Sequence, residues 1–123
     1  MNNFHKEKNS MATLYIREFG FSNELSDQEA RAELKFMTEK LLPAIQSSQG
    51  IKSAKLFSGA GGLRSQIRLL VDMDDAGCYE KMLSNPEIRI LLARLYSAWD
   101  LRNATQDFLR EITQDIIDAH SSR

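Results

Sequence analysis

Three cationic side chains, Arg17, Lys55 and Arg68, fall one on each of three strand-like stretches of the chain. Strands laid side by side could bring them onto one sheet face, where guanidinium and ammonium groups hold a substrate carboxylate or another anion. The same cations could instead pair with Glu18, Asp72 or Asp100 as ordinary ion pairs. A second chemical feature is the glycine-rich FSGAGGLRSQ, residues 57–66, whose Gly59 and Gly61 begin a GxG pattern. A phosphate cradle needs such glycines at a strand-to-helix turn, so that helix N–H groups face the phosphates. Here Arg64 stands where the last glycine belongs, the lysine–hydroxyl pair of a P-loop is missing, and a strand pattern follows. The loop therefore reads as a hairpin, with Ser58 to Arg64 as its exposed tip.

Other chemistries find less support. The two histidines, His5 and His120, lie towards the chain ends, and no carboxylate–histidine spacing forms a ligand set. Asp72, Asp74 and Asp75 could take a hard cation but read more simply as a solvated loop that caps a helix. Cys78 has no histidine nearby in sequence and reads as a small buried thiol. We expect no metal and no cofactor, and no catalytic residue can be assigned.

The chain of 123 residues has the size of one domain. We expect a flexible tail over residues 1–11, with Met11 a possible second start, and one packed domain over 12–120. Sixteen basic against seventeen acidic residues leave a net charge of −1, without the basic footprint that nucleic acid attracts. The longest apolar runs, IRLLV and IRILLARL, fall short of the roughly 20 residues of a membrane span. No nucleic acid or membrane partner is expected. The polar MNNFHKEKNS lacks a signal peptide's apolar centre, and a single cysteine suits a reducing compartment, so the expected location is cytoplasmic.

The elements that must position these groups follow from periodicity. ATLYIREFGF, residues 12–21, reads as strand one, with Leu14 and Ile16 on one face and Tyr15, Arg17 and Phe19 on the other. Ser26 and Glu29 have capping-box spacing, and Leu34, Met37, Leu41, Leu42 and Ile45 form the stripe of the helix that follows. Pro43 should kink or break it. Gly50 ends it, Ile51 to Ser58 reads as strand two, and residues 65–73 as strand three, with Ile67, Leu69 and Val71 inward. A short helix follows Asp74–Asp75, and Asn85-Pro86-Glu87 restarts a helix whose stripe is Ile88, Leu91, Leu92 and Leu95. Residues 96–102 fit either a helix face or a strand; we read them as strand four. A last helix should start between Asn103 and Gln106, carry Phe108, Leu109, Ile112, Ile116 and Ile117, and fray over the final HSSR. The order β-α-β-β-α-β, with a hairpin between two β–α units, implies an antiparallel sheet with helices on one face, an α+β fold with an extra C-terminal helix.

Two stretches, LLPAIQSSQGIKSAKLFSG and VDMDDAGCYEKMLSNPEIRILL, resemble the ferredoxin-like dimeric α+β barrel superfamily, which includes antibiotic-biosynthesis monooxygenases and stress-responsive barrel proteins. The resemblance spans roughly residues 12 to 102. It implies a homodimer in which two four-stranded sheets pack face to face. Apolar residues on both strand faces independently call for such a cover, since Tyr15, Phe19 and Leu70 would otherwise be exposed. The resemblance further implies an aromatic pocket between sheet and helices, for which Tyr15, Tyr96 and Trp99 are candidates. In the cofactor-free monooxygenases of this group an asparagine, a tryptophan and an arginine surround an aromatic, polyketide-like substrate. Trp99 and Arg68 are candidates here, whereas Asn23, Asn85 and Asn103 fall in loops or caps. A haem-degrading relative would need an axial histidine, and none occurs between Phe19 and Arg110. The expected role is thus a small dimeric barrel protein that binds a small aromatic or anionic ligand or acts as an interaction module. A cofactor-independent oxygenase is the other reading.

Overall fold

A computed structural model of the chain describes residues 12–121; the expected tail at 1–11 lies outside them. Four strands, β1 (Thr13–Phe19), β2 (Ile51–Ser58), β3 (Ile67–Met73) and β4 (Thr105–Arg110), form one antiparallel sheet in the order β2-β3-β1-β4. This is the ferredoxin-like α+β arrangement, with helices on one face. Between β1 and β2 run α1 (Asp27–Phe36), a π turn (Met37–Leu41) and α2 (Leu42–Gln46); between β3 and β4 run α3 (Gly77–Leu83) and α4 (Pro86–Tyr96). A last helix, α5 (Gln114–Ser121), follows β4.

The local signals operate as their chemistry requires. The Ser26 hydroxyl accepts from the Glu29 N–H at 3.1 Å, and the Glu29 carboxylate accepts from the Ser26 N–H at 2.8 Å. Those bonds, the backbone one first, hold the Glu29 carboxyl below its usual range. Asn85 caps α4 through the Glu87 N–H, with Pro86 in the first position. Pro43, which has no N–H to give, falls just after the turn in which the chain widens to i→i−5 bonding, and the Leu42 N–H reaches Met37 O. The helix is thus one continuous path with a π turn where a kink was expected.

Beneath the helices the sheet contributes Tyr15, Phe19, Ala54, Ile67, Leu69, Val71 and Met73 to the core, and the helices contribute Met37, Leu41, Ile45, Ile88 and Leu95. Arg94 ties α4 to α1, stacking on Phe36 at 3.6 Å and pairing with Glu33 at 3.2 Å.

Four expectations are corrected. Tyr15 and Phe19 point towards the helices, and the uncovered face carries Leu14, Ile16 and Leu70. Strand one is apolar on both sides, so its alternation fixes which residues share a face but not which face meets the helices. Residues 96–102 are not strand four: α4 runs to Tyr96, and 101–103 form one 3-10 turn. The alternation there is realised at a single position, where Trp99 bridges Phe21 and the Ser22 N–H and Asp100 N–H bond Ala98 O and Gly20 O at 2.8 Å. Strand four is instead TQDFLR, six exposed residues paired with β1 alone. Phe108 and Leu109 thereby leave the last helix, which starts later. His120 and Ser121 belong to that helix rather than to a frayed end, and His120 Nδ1 lies 2.8 Å from Ile116 O.

Gly50 has φ +82°, and a Cβ built there would sit 2.3 Å from Cys78 Sγ. Gly50→Ala should lower stability by about 2–4 kcal/mol, combining left-handed strain with overpacking. In a Cys78→Ala background the same change should cost only the strain, about 1–2 kcal/mol. Urea unfolding of the four proteins measures both.

Candidate functional site

The register separates the three cations. Arg17 pairs across to Leu69, whereas Lys55 lies opposite Leu70 and Arg68 opposite Glu18. Because neighbouring strand residues point to opposite faces, Arg17 faces the helices while Lys55 and Arg68 lie on the uncovered side. Arg68 Nε donates to Glu18 Oε1 at 2.6 Å, and Lys55 is exposed. The anion-holding trio is therefore replaced by one inward arginine.

The glycine loop is the hairpin connection, closed by the Gly59 N–H to Gln66 O at 3.0 Å, with Gly62 at φ +118°. Arg64 is not available to an anion. Its Nη1 donates to Asp27 Oδ1 at 3.0 Å and its Nη2 to the Ser22 and Leu25 carbonyls, latching the loop to the β1–α1 connection. At the nearby start of α1 the capping box takes up the Ser26 and Glu29 N–H groups.

Around Arg17 the fold does assemble a site. Tyr96, in the last turn of α4, and Trp99, just beyond it, meet at 5.1 Å between ring centroids. The Arg17 guanidinium carbon lies 5.7 Å from each centroid, within reach of a cation–π attraction. Trp99 is fixed from behind by stacking on Phe19, 3.8 Å away with planes 12° apart. Tyr15, two residues along β1 on the same face, contacts Tyr79 of α3 and Phe108 of β4 at 4.8 and 5.0 Å. Gln106 completes the cluster: its Oε1 accepts from the Tyr15 hydroxyl at 3.1 Å and from Arg17 Nη1 at 3.0 Å.

Tyr15, Arg17, Tyr96 and Trp99 of the expected set thus converge, and Lys55 and Arg68 do not. Tyr79, Gln106 and Phe108 enter the site without having been singled out for it. The latter two depend on β4, whose register sets Gln106 opposite Arg17 and Phe108 opposite Tyr15. The asparagines lie elsewhere: Asn85 caps α4 and Asn103 bonds Asp100, so the amide in this site is a glutamine.

Electrostatically the cluster is a donor site. Burial, and then the neighbouring Tyr79, push the Tyr15 hydroxyl far above the usual tyrosine range, and burial raises Tyr96 despite the opposing charge of Arg17. Both phenols therefore stay protonated at neutral pH. Two buried donors, Arg17 Nε and Trp99 Nε1, have no acceptor. An unmet buried donor costs about 1–3 kcal/mol. Among the described residues no group of His, Cys, Asp or Glu is placed to hold a metal.

The raised tyrosines set a pH limit. Each binds its proton more tightly when folded, so the stability they confer is complete below the ordinary value of about 10 and is lost as pH rises beyond it. Chemical unfolding between pH 8 and 11.5 should show stability falling above about pH 10. Tyr15→Phe should flatten that fall while costing about 1 kcal/mol at pH 7 through the lost Gln106 bond.

The sequence matches no protein-family model and no curated relative. The structure is similar to several solved ones. A dimeric ferredoxin-like protein of unknown function from Thermobifida fusca superposes with TM-score 0.66 at 13% identity, covering 84% of this chain and 93% of its own. A dimeric protein of unknown function and ferredoxin-like fold from Bacteroides fragilis gives 0.69 at 13%, covering 81% and 96%. SnoaB, a cofactor-independent oxygenase from Streptomyces nogalater, gives 0.67 at 12%, covering 85% and 96%. No helix of the described residues is long and apolar enough to cross a membrane. At these identities the likeness concerns architecture: this chain has the ferredoxin-like fold found in dimeric proteins and in antibiotic-biosynthesis monooxygenase-type proteins.

Proposed function

We propose that this protein is a cytoplasmic homodimer, joined through the uncovered sheet face, whose Arg17 cluster binds a small aromatic molecule bearing an anionic oxygen. The observation that carries the reading is the pair of unpartnered buried donors on Arg17 and Trp99. An anionic oxygen would supply the acceptor that these N–H groups lack and answer the guanidinium charge, which makes no ion pair among the described residues. The rings of Tyr79, Tyr96, Trp99 and Phe108 offer edges and faces to a flat ligand.

Dimerisation is supported by Leu14, Ile16 and Leu70, which lie together on the two central strands with no helix above them. The dimeric proteins of the same fold supply the precedent. The lone buried thiol of Cys78 suits a reducing cytoplasm.

A second reading, a cofactor-independent oxygenase acting on an aromatic or polyketide-like substrate, is favoured by one finding. A tryptophan, an arginine and a side-chain amide do meet, as Trp99, Arg17 and Gln106, on the fold that SnoaB shares. In that role Arg17 would stabilise substrate oxyanion charge.

Trp99 is the single tryptophan and reports directly on the site. Titration with 2-naphthoate should quench its fluorescence saturably, with 2-naphthol binding more weakly. Arg17→Met should raise the dissociation constant at least tenfold, since a charged hydrogen bond contributes about 1.5–3 kcal/mol; equal affinity in the variant refutes the binding reading. Oxygen uptake with a polycyclic hydroxyaromatic in air, absent in Arg17→Met, would establish the oxygenase.

For the dimer, Leu70→Asp should yield monomers by light scattering at micromolar concentration.

A further inference from the structure

Two apolar surfaces remain outside the uncovered sheet face, and they belong to different ends of the protomer. One is a groove of about 380 Å³ between α1 and the β2 edge, walled by Leu34, Lys35, Leu56, Phe57, Leu63 and Ile67. Phe57 and Leu63 are about half exposed there. The other is α5 with its lead-in, where Ile112, two residues before the helix, is 75% exposed, Ile117 is about half exposed and Ile116 is half-buried. The Thr113 hydroxyl accepts from the Ile116 N–H at 3.4 Å, which fixes the start of the helix.

The two surfaces cannot meet within one protomer. The groove borders β2 and α5 continues from β4, the opposite edges of the sheet, three strand spacings or about 14 Å apart. They also lie at opposite ends of the strands. Arg110 is level with Thr13, whereas Leu56 is level with Arg17, four residues and about 14 Å further along. The gap is therefore roughly 20 Å, while Ile112 is two residues beyond Arg110 and reaches only about 7 Å.

Charge fits the same match. Residues 111–121 carry Glu111, Asp115 and Asp118 and no lysine or arginine, and the groove wall carries Lys35.

We propose that the groove is filled by α5 of a second copy of this chain, with Ile112 and Ile116 seated between Leu34 and Leu63 and the acidic side of α5 facing Lys35. A two-fold dimer makes the contact twice, closing the assembly without leaving either surface free. The exchange rests on the homodimer proposed above. It gives the partner a hold on the ligand site as well, because α5 continues directly from β4, which carries Gln106 and Phe108.

Disulfide trapping tests the contact. In the double variant Leu63→Cys/Ile116→Cys, mild oxidation should give covalent dimers whose peptide map contains an interchain 63–116 bond, since such a bond requires Cα atoms within about 7 Å. Each single variant should stay uncrosslinked. As a second measurement, Ile112→Lys should raise the dimer dissociation constant at least tenfold while the circular dichroism spectrum is retained. A native chain that is monomeric by light scattering would remove the homodimer and the exchange together. A dimer with no 63–116 bond whose groove takes up the apolar dye ANS, an intrachain 63–116 bond, or an unchanged dissociation constant for Ile112→Lys would leave the homodimer standing and overturn the exchange.

Discussion

Arg17 faces inward on a central strand, between Tyr15 and Phe19, and much of the structure around it answers the need to accommodate a guanidinium under a helical layer. A half-buried charge without a counter-ion is costly, and here it is met by an amide oxygen and two aromatic faces rather than by a carboxylate. Each partner comes from a different part of the chain. Gln106 requires β4 to lie beside β1 in one register. Tyr96 and Trp99 require α4 to end over β1 and the chain to turn down against Phe21. The bridge at Trp99 and the stacking on Phe19 thus serve the core and the site at once. A neutral partner leaves the guanidinium's charge uncompensated, where a carboxylate would have quenched it.

Where a residue's local chemistry decides its conformation, the chain was legible without coordinates. Ser26 and Glu29, Asn85 with Pro86, Pro43, Gly50 and the β2–β3 hairpin all sit where their capping, ring or backbone constraints put them. The faces of β3 could be read as well, because Arg68 and Asp72 alternate with Ile67, Leu69 and Val71. β1 could not be assigned in the same way, since Leu14 and Ile16 are as apolar as Tyr15 and Phe19; the sidedness comes from long-range pairing with β3. That one ambiguity lets Arg17 group with Lys55 and Arg68 in the sequence. A one-residue offset between Arg17 and the Glu18–Arg68 pair places them on opposite faces.

The region after Leu95 is ambiguous in the sequence for a related reason. Leu95, Ser97, Trp99 and Leu101 alternate like a strand, yet Leu95 and Trp99 also lie one helical turn apart. The true strand, TQDFLR, has a polar pattern because it is an edge exposed along its whole length, so burial leaves little mark on its composition. Its two apolar residues are adjacent and point to opposite faces. Combined with Ile112, Ile116 and Ile117, they mimic a helical stripe. Gln106 and Phe108 were invisible as site residues because pairing with β1, not their own spacing, brings them to Arg17.

The weak signature of β4 also bears on how the site works. Tyr15, Arg17, Tyr96 and Trp99 are held by elements anchored in the core: Phe19, Ile88 and Leu95 are almost fully enclosed. Gln106 and Phe108 are held by one strand ladder, and neither is buried in the protomer. A ladder with water on its outer edge opens more readily than one enclosed on both sides. The cation and its aromatic walls are therefore preorganised, while the amide side of the site is the part free to adjust. On the proposed reading, ligand binding at Arg17 would be coupled to the seating of β4 through Gln106, whose oxygen bonds both Tyr15 and Arg17. A contact that holds β4 or α5 from outside the protomer would then strengthen the proposed site without touching the ligand, and a ligand bonded to Arg17 would stabilise β4 in return.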